Sequence, residues 1–269
     1  MSPVLELDGL SVRYGPGCHR CTDAGPAHAR CALCGSVWAC RDVSFDVEPG
    51  ETLGIVGESG SGKSTVLACA NLDLTPTAGR VLLDGRDVTG VQGSARRRLR
   101  AERLGIVYQT PRQGLDLEVT AGGNVAGRLL AVGIRSYAPV RARALELLEY
   151  MELAADRLDD VTSSFSGGMQ QRVQLSKALA TEPPVVLLDE PTSGLDVSVQ
   201  ARLLDLIRRI HLESGVAVVI VSHDLAVIRM LAGRLLVMRQ GRVVEAGVTD
   251  QVLGDPQHPY TQLLVSSQL

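Results

Sequence analysis

Short apolar runs alternate along the chain with longer segments that carry apolar residues at helical spacing. The runs have the length and the branched side chains of strands buried on both faces, and they lie near Thr52, Gly105, Val185, Val216 and Leu235. Helical spacing is clearest in residues 65–74 and 140–153. This alternation predicts an α/β protein with a mostly parallel core sheet and right-handed crossovers.

Other segments depart from this alternation. Residues 4–7, 43–47 and 81–83 alternate apolar and polar positions or end at a turn, which predicts an antiparallel β lobe. The predicted division of the chain is residues 1–108 for this lobe and the first part of the core, with a cysteine-rich insert at 15–41, residues 109–164 for a smaller helical lobe, and residues 165–269 for the remaining core and the C-terminal tail.

The segment between the strand near Thr52 and the next helix has the spacing G-x-x-x-x-G-K-[ST] of a phosphate-binding loop. Its glycines let backbone N–H groups converge on phosphate oxygens, and the following helix adds its positive dipole end. Lys63 is expected to reach the β- and γ-phosphates of ATP, and Ser64 to ligate Mg²⁺. The alternative is a glycine-rich turn without a ligand. The predicted nucleotide contacts here are Gly57, Ser59, Gly60, Ser61, Gly62, Lys63, Ser64 and Thr65.

Two further buried runs end in polar residues at the sheet edge where α/β proteins bind ligands. The run near Val185 ends in Asp189 and Glu190, which suit Mg²⁺ binding through water and activation of the attacking water. The run near Val216 is followed by His223, which is expected to contact the γ-phosphate. The alternatives are a surface acidic pair and a capping or core histidine.

Composition narrows the possible partners. The chain has 269 residues, a net charge of −3 and a pI near 6.0, so we expect no nucleic-acid partner. The arginine run at residues 96–100 has no interleaved aromatic residues and is interpreted as a solvated helix face. The longest apolar run is too short to cross a bilayer, and no signal peptide is evident, so we expect a cytoplasmic protein with no direct membrane insertion. Only two of its 27 basic residues are lysines.

Four short motifs, taken in order, resemble those of the ATP-binding-cassette (ABC) ATPases. Ser166-Gly167-Gly168-Met169-Gln170-Gln171 is similar to the signature loop, residues 191–196 to the D-loop, Gln109 to the Q-loop glutamine and Tyr14 to the adenine-stacking aromatic residue. The resemblance implies the fold of an ABC-type P-loop NTPase, whose two cassettes close head to tail on ATP and reopen after hydrolysis.

The same resemblance assigns roles within the shared site. It implies catalysis by Glu190, His223 and Gln109, and Mg²⁺ ligation by Ser64, Gln109 and Asp189. Tyr14 would contact the adenine. The nucleotide held by Lys63 of one subunit would meet Ser166, Gly167, Gly168 and Asp196 of a second ABC cassette, in a homodimer or with a related subunit.

The segments that differ among ABC proteins bear on the partner. The tail at residues 254–264 resembles both the ATP-binding subunits of oligopeptide and dipeptide importers and those of bacterial carbon–phosphorus lyase systems. Residues 110–116 and 119–124 are similar to the lyase subunits and unlike the importers. The resemblance implies a role in phosphonate catabolism, in which ATP-driven closure remodels a lyase core by docking on its iron–sulfur subunit. An importer subunit, peripheral at the inner membrane, is the alternative.

The insert after Tyr14 departs from the ABC pattern. Two C-x-x-C motifs, Cys18/Cys21 and Cys31/Cys34, can place four thiolates tetrahedrally around a structural Zn²⁺. The spacing between the motifs is shorter than in most zinc ribbons, and an iron or other redox site, disulfides or no metal are the alternatives. His19 and His28 are possible substitute ligands. Cys40 and Cys69 are predicted to lie outside the site.

Overall fold

A computed structural model describes residues 2–19, 21 and 30–268 of the chain. Its strands are β1 (Leu5–Tyr14), β2 (Val37–Val47), β3 (Thr52–Val56), β4 (Ala78–Leu83), β5 (Arg86–Asp87), β6 (Leu104–Val107), β7 (Val185–Asp189), β8 (Ala217–Val221), β9 (Arg234–Arg239) and β10 (Arg242–Val248). Within those residues, no helix has both the length and the apolar character needed to span a bilayer.

The helices are named in the same chain order. They are α1 (Lys63–Ala70), α2 (Gly93–Arg103), α3 (Pro111–Gly114), α4 (Ala121–Ala131), α5 (Tyr137–Tyr150), α6 (Gly167–Leu179), α7 (Val197–Ser214), α8 (Leu225–Leu231), α9 (Thr249–Gly254) and α10 (Pro259–Gln268). Two short 3₁₀ turns, Ala155–Asp159 and Thr162–Ser164, precede α6. The chain divides into two compact units, residues 1–90 with 219–269 and residues 91–218.

The first unit contains the antiparallel sheet that the alternating segments predict. Its strand order is β2-β1-β4-β5, and the central strand β1 pairs Leu5 with Val47 on one side and with Leu83 on the other. All three of these side chains are buried, as the alternating pattern requires of the positions that face the core.

The first unit also contains strands in the order β10-β9-β3-β8. Strands β3 and β9 are parallel, with Leu53 opposite Arg234, and β10 returns antiparallel to β9. Every residue of β3 is buried, which explains why its sequence is an unbroken apolar run. Because β3 leads directly into α1, the buried strand fixes the start of the glycine-rich loop between them.

The second unit contains the other parallel pair and most of the helices. Strands β6 and β7 pair from Leu104↔Val185 to Val107↔Leu188. Helices α4, α5 and α6 pack together in this unit, and Leu148 of α5 is fully buried. The α/β class with parallel strands, an antiparallel sheet and helices is thus confirmed, whereas the three-part division by residue number stays a prediction.

Three predicted boundaries differ from the structure. Strand β2 begins at Val37, so the last five residues of the predicted insert are strand. Helix α1 ends at Ala70 rather than near residue 74 because Leu72 has a φ of 58°, and α5 ends at Tyr150 rather than 153 because Glu152 has a φ of 57°. A residue in the left-handed backbone conformation ends a right-handed helix. Because Leu72 and Glu152 are not glycines, the sequence gives no signal of these two helix ends.

Candidate functional site

The loop between β3 and α1 has the geometry of an anion cradle. Gly62 is the N-cap of α1 with a φ of 104°, and a Cβ there would overlap the carbonyl oxygen of Ala39. A residue with a side chain would therefore have to displace β2. The first turn of α1 carries no acidic residue, so the positive end of the helix dipole meets no carboxylate of its own.

Lys63 lies at the centre of this loop. Its side chain is buried, and its Nζ donates hydrogen bonds to the carbonyl oxygens of Gly57 at 2.7 Å and Glu58 at 2.9 Å. The ammonium group is thus held inside the loop at the start of α1. Ser64 and the loop residues Ser59 and Gly60 are exposed, whereas Ser61 is buried.

The outer side of the loop is bonded to two distant parts of the chain. The N–H of Glu58 donates to the Tyr260 hydroxyl at 2.9 Å, and the N–H of Gly241 donates to the Ser61 carbonyl at 2.9 Å. Tyr260 is buried in α10, and the Arg239 guanidinium lies 4.9 Å from its ring centroid. These bonds pair one N–H group and one carbonyl group of the loop with elements that are distant in sequence.

The remaining predicted contacts of the first unit lie at element ends. Tyr14 is the last residue of β1 and is 51% exposed. His223 is exposed between β8 and α8, and Asp224 caps α8 by accepting the N–H of Ala226 at 2.8 Å. His223 is thus an exposed residue immediately before the N-cap of α8, which fits a contact to a ligand at this end of β8.

The second unit contains the acidic strand end. Asp189 and Glu190 are half-buried where β7 ends. Gln109 donates from Nε2 to Glu190 Oε2 at 3.0 Å and to Ser193 Oγ at 3.2 Å. Glu190 has a φ of 43°, an uncommon conformation for a residue with a side chain and one that clusters at functional sites. The predicted Q-loop glutamine and the predicted catalytic carboxylate are therefore in direct contact.

One face of α6 holds the backbone around Gln109. Gln171 donates from Nε2 to the Gln109 carbonyl at 3.2 Å, and Lys177 donates to the Gly114 carbonyl at 2.7 Å. Gln174 accepts the N–H of Tyr108 at 3.1 Å and donates to the Tyr108 carbonyl at 3.1 Å. Because these three side chains follow at every third position, one helix face fixes the loop that carries Gln109.

The segment predicted as the signature loop begins the same helix. Ser166 is exposed and caps α6, whose first turn has no acidic residue. Gly168 lies where a Cβ would come 2.5 Å from Val199 Cγ1, so only glycine fits. Asp196 caps α7 by accepting the N–H of Val199 at 3.0 Å, and this hydrogen bond lowers the pKa of the carboxyl group below its usual value.

The four cysteines of the insert converge on one point. Their Sγ atoms all lie within 4.8 Å of one another, with separations of 3.7 Å (Cys18–Cys21), 3.8 Å (Cys18–Cys31) and 3.6 Å (Cys21–Cys34). Four sulfurs about 2.3 Å from a central zinc ion form a tetrahedron with edges of about 3.8 Å. The donor set and spacing therefore fit a tetrahedral thiolate metal site, and none of these cysteines is in a disulfide.

The other candidate ligands lie outside this cluster. Cys40 and Cys69 are fully buried, and burial raises the pKa of their thiols to about 11 and about 12, as expected for inert core cysteines. His19 is exposed and is not part of the cluster, and His28 lies outside the described residues. Within the cluster, hydrogen bonding to the Ser36 side chain and then to its N–H lowers the pKa of Cys34 to about 6, which favours the thiolate.

Comparison with known proteins decides the family. The family model described as "ABC transporter" matches residues 40–193. The chain is 57% identical, over 99% of its length and 98% of that protein, to the putative phosphonates utilization ATP-binding protein PhnK of Escherichia coli K12. It is 40% identical to the dipeptide transport ATP-binding protein DppF of Lactococcus lactis subsp. cremoris, over 85% of this chain and 74% of that protein. This chain belongs to the ABC transporter family.

The solved structures agree with that assignment. The dimeric ATP-binding cassette MJ0796, in a post-hydrolysis state bound to ADP and Pi, has a TM-score of 0.78 at 30% identity and covers 91% of this chain and 98% of its own. Members of this family hydrolyse ATP with Mg²⁺, and this ABC protein is accordingly an ATPase.

Several contacts of this ABC ATPase have no counterpart in its short motifs. The sequence motifs locate Gln109, Glu190 and the phosphate loop, and they include Gln171 as the last residue of the predicted signature loop, but they do not point to Gln174 or Tyr260. Gln174 follows Gln171 at helical spacing, a clue that the two polar side chains lie on one face of the helix. No local clue connects Tyr260 with a loop 202 residues earlier.

The hydrogen bond between Tyr260 and the phosphate loop makes a testable prediction. We expect Tyr260→Phe to weaken ATP binding by about threefold to tenfold, because Glu58 loses the acceptor for its N–H at a cost of about 1 kcal/mol. Isothermal titration with a non-hydrolysable ATP analogue measures the change. The matched control is Tyr137→Phe, whose side chain is 76% exposed in the second unit. Equal affinity in Tyr260→Phe and the unaltered protein would contradict the role of this bond.

Proposed function

We propose that this ABC ATPase is the ATP-binding and ATP-hydrolysing subunit of a phosphonate-utilization system and works in the cytoplasm. The observation that carries the proposal is the 57% identity, over nearly the whole of both chains, to a phosphonates utilization ATP-binding protein. The peptide and dipeptide relatives reach 38–40% identity over 84–86% of this chain. The cysteine insert lies in the part of the chain that precedes the family match at residue 40.

In the proposed site, the phosphate loop binds the triphosphate and Tyr14 stacks on the adenine. Lys63 moves its ammonium group from loop carbonyls to the β- and γ-phosphates, and the backbone N–H groups of residues 59–65 surround the phosphate oxygens. Ser64, Gln109 and Asp189 offer the oxygen ligands that Mg²⁺ prefers. Mg²⁺, when bound, neutralises charge on the phosphates during transfer.

Glu190 is the proposed general base for the attacking water. Gln109, which donates to the Glu190 carboxylate, orients that carboxylate and transmits the position of its own loop to it. His223 is proposed to contact the γ-phosphate from the exposed start of α8. Each of these side chains lies at a strand end, the edge at which open α/β sheets bind ligands.

A second cassette is proposed to complete the site. Ser166 and Gly167 are exposed at the start of the 13-residue helix α6, and Gly168 follows them. The N-terminus of α6 suits a γ-phosphate presented by another subunit.

Asp196 and the next residue, Val197, are also exposed. Val197 is 83% exposed, and a partner would cover this apolar side chain. Dimeric cassettes of similar fold support this arrangement.

The ATPase mechanism is tested by Glu190→Gln. The amide keeps the shape of the side chain and one oxygen that can accept the hydrogen bond from Gln109, but it cannot accept the proton of water, so turnover should fall at least about 100-fold while ATP affinity is preserved. Phosphate release and nucleotide titration measure the two quantities. Equal turnover in the variant and the unaltered protein would remove the assignment of Glu190, and full turnover by a monomer would remove the shared site.

The proposed partner is the core of a carbon–phosphorus lyase, through the subunit that carries its iron–sulfur cluster. The support is the segment after Gln109, which forms the short helix α3 with Arg112 and Gln113 exposed in place of the run usual in importers. Closure of two cassettes on ATP would pull on this surface and remodel the core for substrate entry or product release. The role of ATP is then mechanical rather than that of a phosphate donor.

Co-purification from phosphate-starved cells tests the partner. Tagged protein should retain the lyase core, and Arg112→Glu should reduce that recovery at least about fivefold because it reverses a charge on the proposed contact surface. Arg97→Glu makes the same reversal on the exposed face of α2 and serves as the control. Recovery of a membrane permease in place of the lyase core would favour the importer alternative.

We further propose that Cys18, Cys21, Cys31 and Cys34 bind one structural Zn²⁺, with iron as the alternative occupant. Elemental analysis of purified protein should give close to one equivalent of zinc, because four thiolates at tetrahedral spacing hold this ion without further ligands. A Cys31→Ser and Cys34→Ser double variant should lose the metal, whereas Cys69→Ala, which changes a cysteine outside the cluster, should keep it. Less than a tenth of an equivalent in the unaltered protein would exclude the zinc site.

A further inference from the structure

The cysteine cluster is bonded to the strand that supports the nucleotide loop. Ser36, which is 1% exposed, lies at the junction. Its Oγ is 3.3 Å from Cys34 Sγ and accepts the N–H of Gly17 at 2.9 Å, and its carbonyl accepts the N–H of Cys31 at 2.7 Å. One buried serine therefore ties the second C-x-x-C motif, and Gly17 immediately before the first, to the residue where β2 begins.

The first residue of β2 connects this junction to Tyr14. Val37 pairs with Tyr14 in the antiparallel ladder of β1 and β2, and it also forms a bridge with Arg30, the neighbour of Cys31. The backbone of Tyr14 is thus paired with a strand end only three residues from Cys34. If the cluster loses its shape, the start of β2 loses its anchor, and so does the end of β1.

The next residues of β2 contact the phosphate loop. The N–H of Arg41 donates to the Gly241 carbonyl at 2.7 Å, and the N–H of Gly241 donates to the Ser61 carbonyl at 2.9 Å. Gly62, the N-cap of α1, lies against the carbonyl of Ala39 so closely that no Cβ fits between them. Strand β2 is therefore the common support of the adenine side and the phosphate side of the proposed nucleotide site.

Trp38 stiffens this part of the strand. The guanidinium groups of Arg13 and Arg41 lie 5.6 Å and 5.3 Å from its ring centroid, within the range of cation–π attraction. Arg13 precedes Tyr14 on β1, and Arg41 makes the hydrogen bond to Gly241. A displacement at Val37 would therefore pass to both residues through one aromatic ring.

We propose that the metal held by the four cysteines is a positioning element of the nucleotide site, so that metal binding and ATP binding strengthen each other. The inference rests on the proposed metal site. Within the described part of residues 15–36, only Cys21, Cys31 and Ser36 are buried, so these described residues offer no apolar core to hold four sulfurs together without the ion. The start of β2 then frays, and ATP binding must restore its order.

Thermodynamic linkage makes the proposal quantitative. If the metal raises the affinity for ATP by some factor, ATP must raise the affinity for the metal by the same factor. We expect a factor of at least about five, the lower end of measured couplings between sites. The effect should appear in the dissociation constant of the nucleotide, and the turnover of fully saturated enzyme should change less.

The experiment compares full-length protein carrying zinc with the same protein stripped by a zinc-selective chelator in the presence of Mg²⁺. Titration with a non-hydrolysable ATP analogue should give at least a fivefold weaker affinity after stripping, and the analogue should raise the zinc affinity, measured at equilibrium by competition with a chromogenic chelator, by the same factor. Cys69→Ala should behave as the unaltered protein. Equal nucleotide affinity with and without zinc would overturn the inference.

A second variant keeps the test independent of whether stripped protein remains folded. Ser36→Ala retains all four sulfur ligands but removes the hydroxyl that joins Gly17 to Cys34. It should keep one equivalent of zinc and still bind the ATP analogue at least about threefold more weakly, with a reduced effect of zinc on affinity. Unchanged affinity in Ser36→Ala would also overturn the inference.

The possible outcomes distinguish a failure of this inference from a failure of the proposals on which it rests. Protein that binds no metal would remove the zinc site, and zinc-loaded protein that binds no nucleotide would remove the nucleotide site. Zinc-loaded protein that binds the analogue with an affinity indifferent to zinc would remove only the coupling.

Discussion

The phosphate loop must leave its inward amides available to an anion while its other backbone groups are satisfied by protein. An unpaired buried N–H or C=O costs about as much as a lost hydrogen bond, so the loop cannot hold this shape alone. Here the Tyr260 hydroxyl accepts the N–H of Glu58, and the N–H of Gly241 donates to the Ser61 carbonyl. Lys63 Nζ donates to the carbonyl oxygens of Gly57 and Glu58. The proposed nucleotide site therefore depends on the C-terminal helix α10 and on the turn between β9 and β10.

An analogous constraint applies in the second unit to Glu190, the proposed catalytic carboxylate. Glu190 has an unfavourable backbone conformation, which persists only where neighbouring contacts hold it. Gln109 bonds that carboxylate, and Gln171, Gln174 and Lys177 bond the backbone around Gln109. Since all three belong to helix α6, which Ser166 caps, a displacement at the start of that helix would reach Glu190 through hydrogen bonds. For the proposed shared site, this continuity gives a physical route from the second cassette to the timing of hydrolysis.

Sequence reasoning predicts the parts of this molecule that are determined by residues close to one another in the sequence. Buried strands such as β3 appear as unbroken apolar runs, and the phosphate loop appears as fixed glycine spacing, because both depend on neighbours in sequence. Tyr260 and Ser36 could not be found in that way, since their partners are 202 and up to 19 residues distant and hydroxyl groups have no periodic signature. The sequence also gives no signal of the early ends of α1 and α5, because Leu72 and Glu152 adopt a backbone conformation that their residue types disfavour.

The two lysines of this arginine-rich chain occupy positions that suit a compact ammonium group. Lys63 Nζ bonds two carbonyl oxygens inside the phosphate loop, and Lys177 Nζ bonds the single carbonyl of Gly114. A guanidinium group spreads five N–H donors over a rigid plane, and neither place offers matching acceptors among these carbonyls. Burial and the nearby Arg128 lower the pKa of Lys177, so an always-charged arginine there would cost more free energy than a lysine. Both lysines thus lie where a compact cation donates hydrogen bonds to backbone carbonyl oxygens in a confined space.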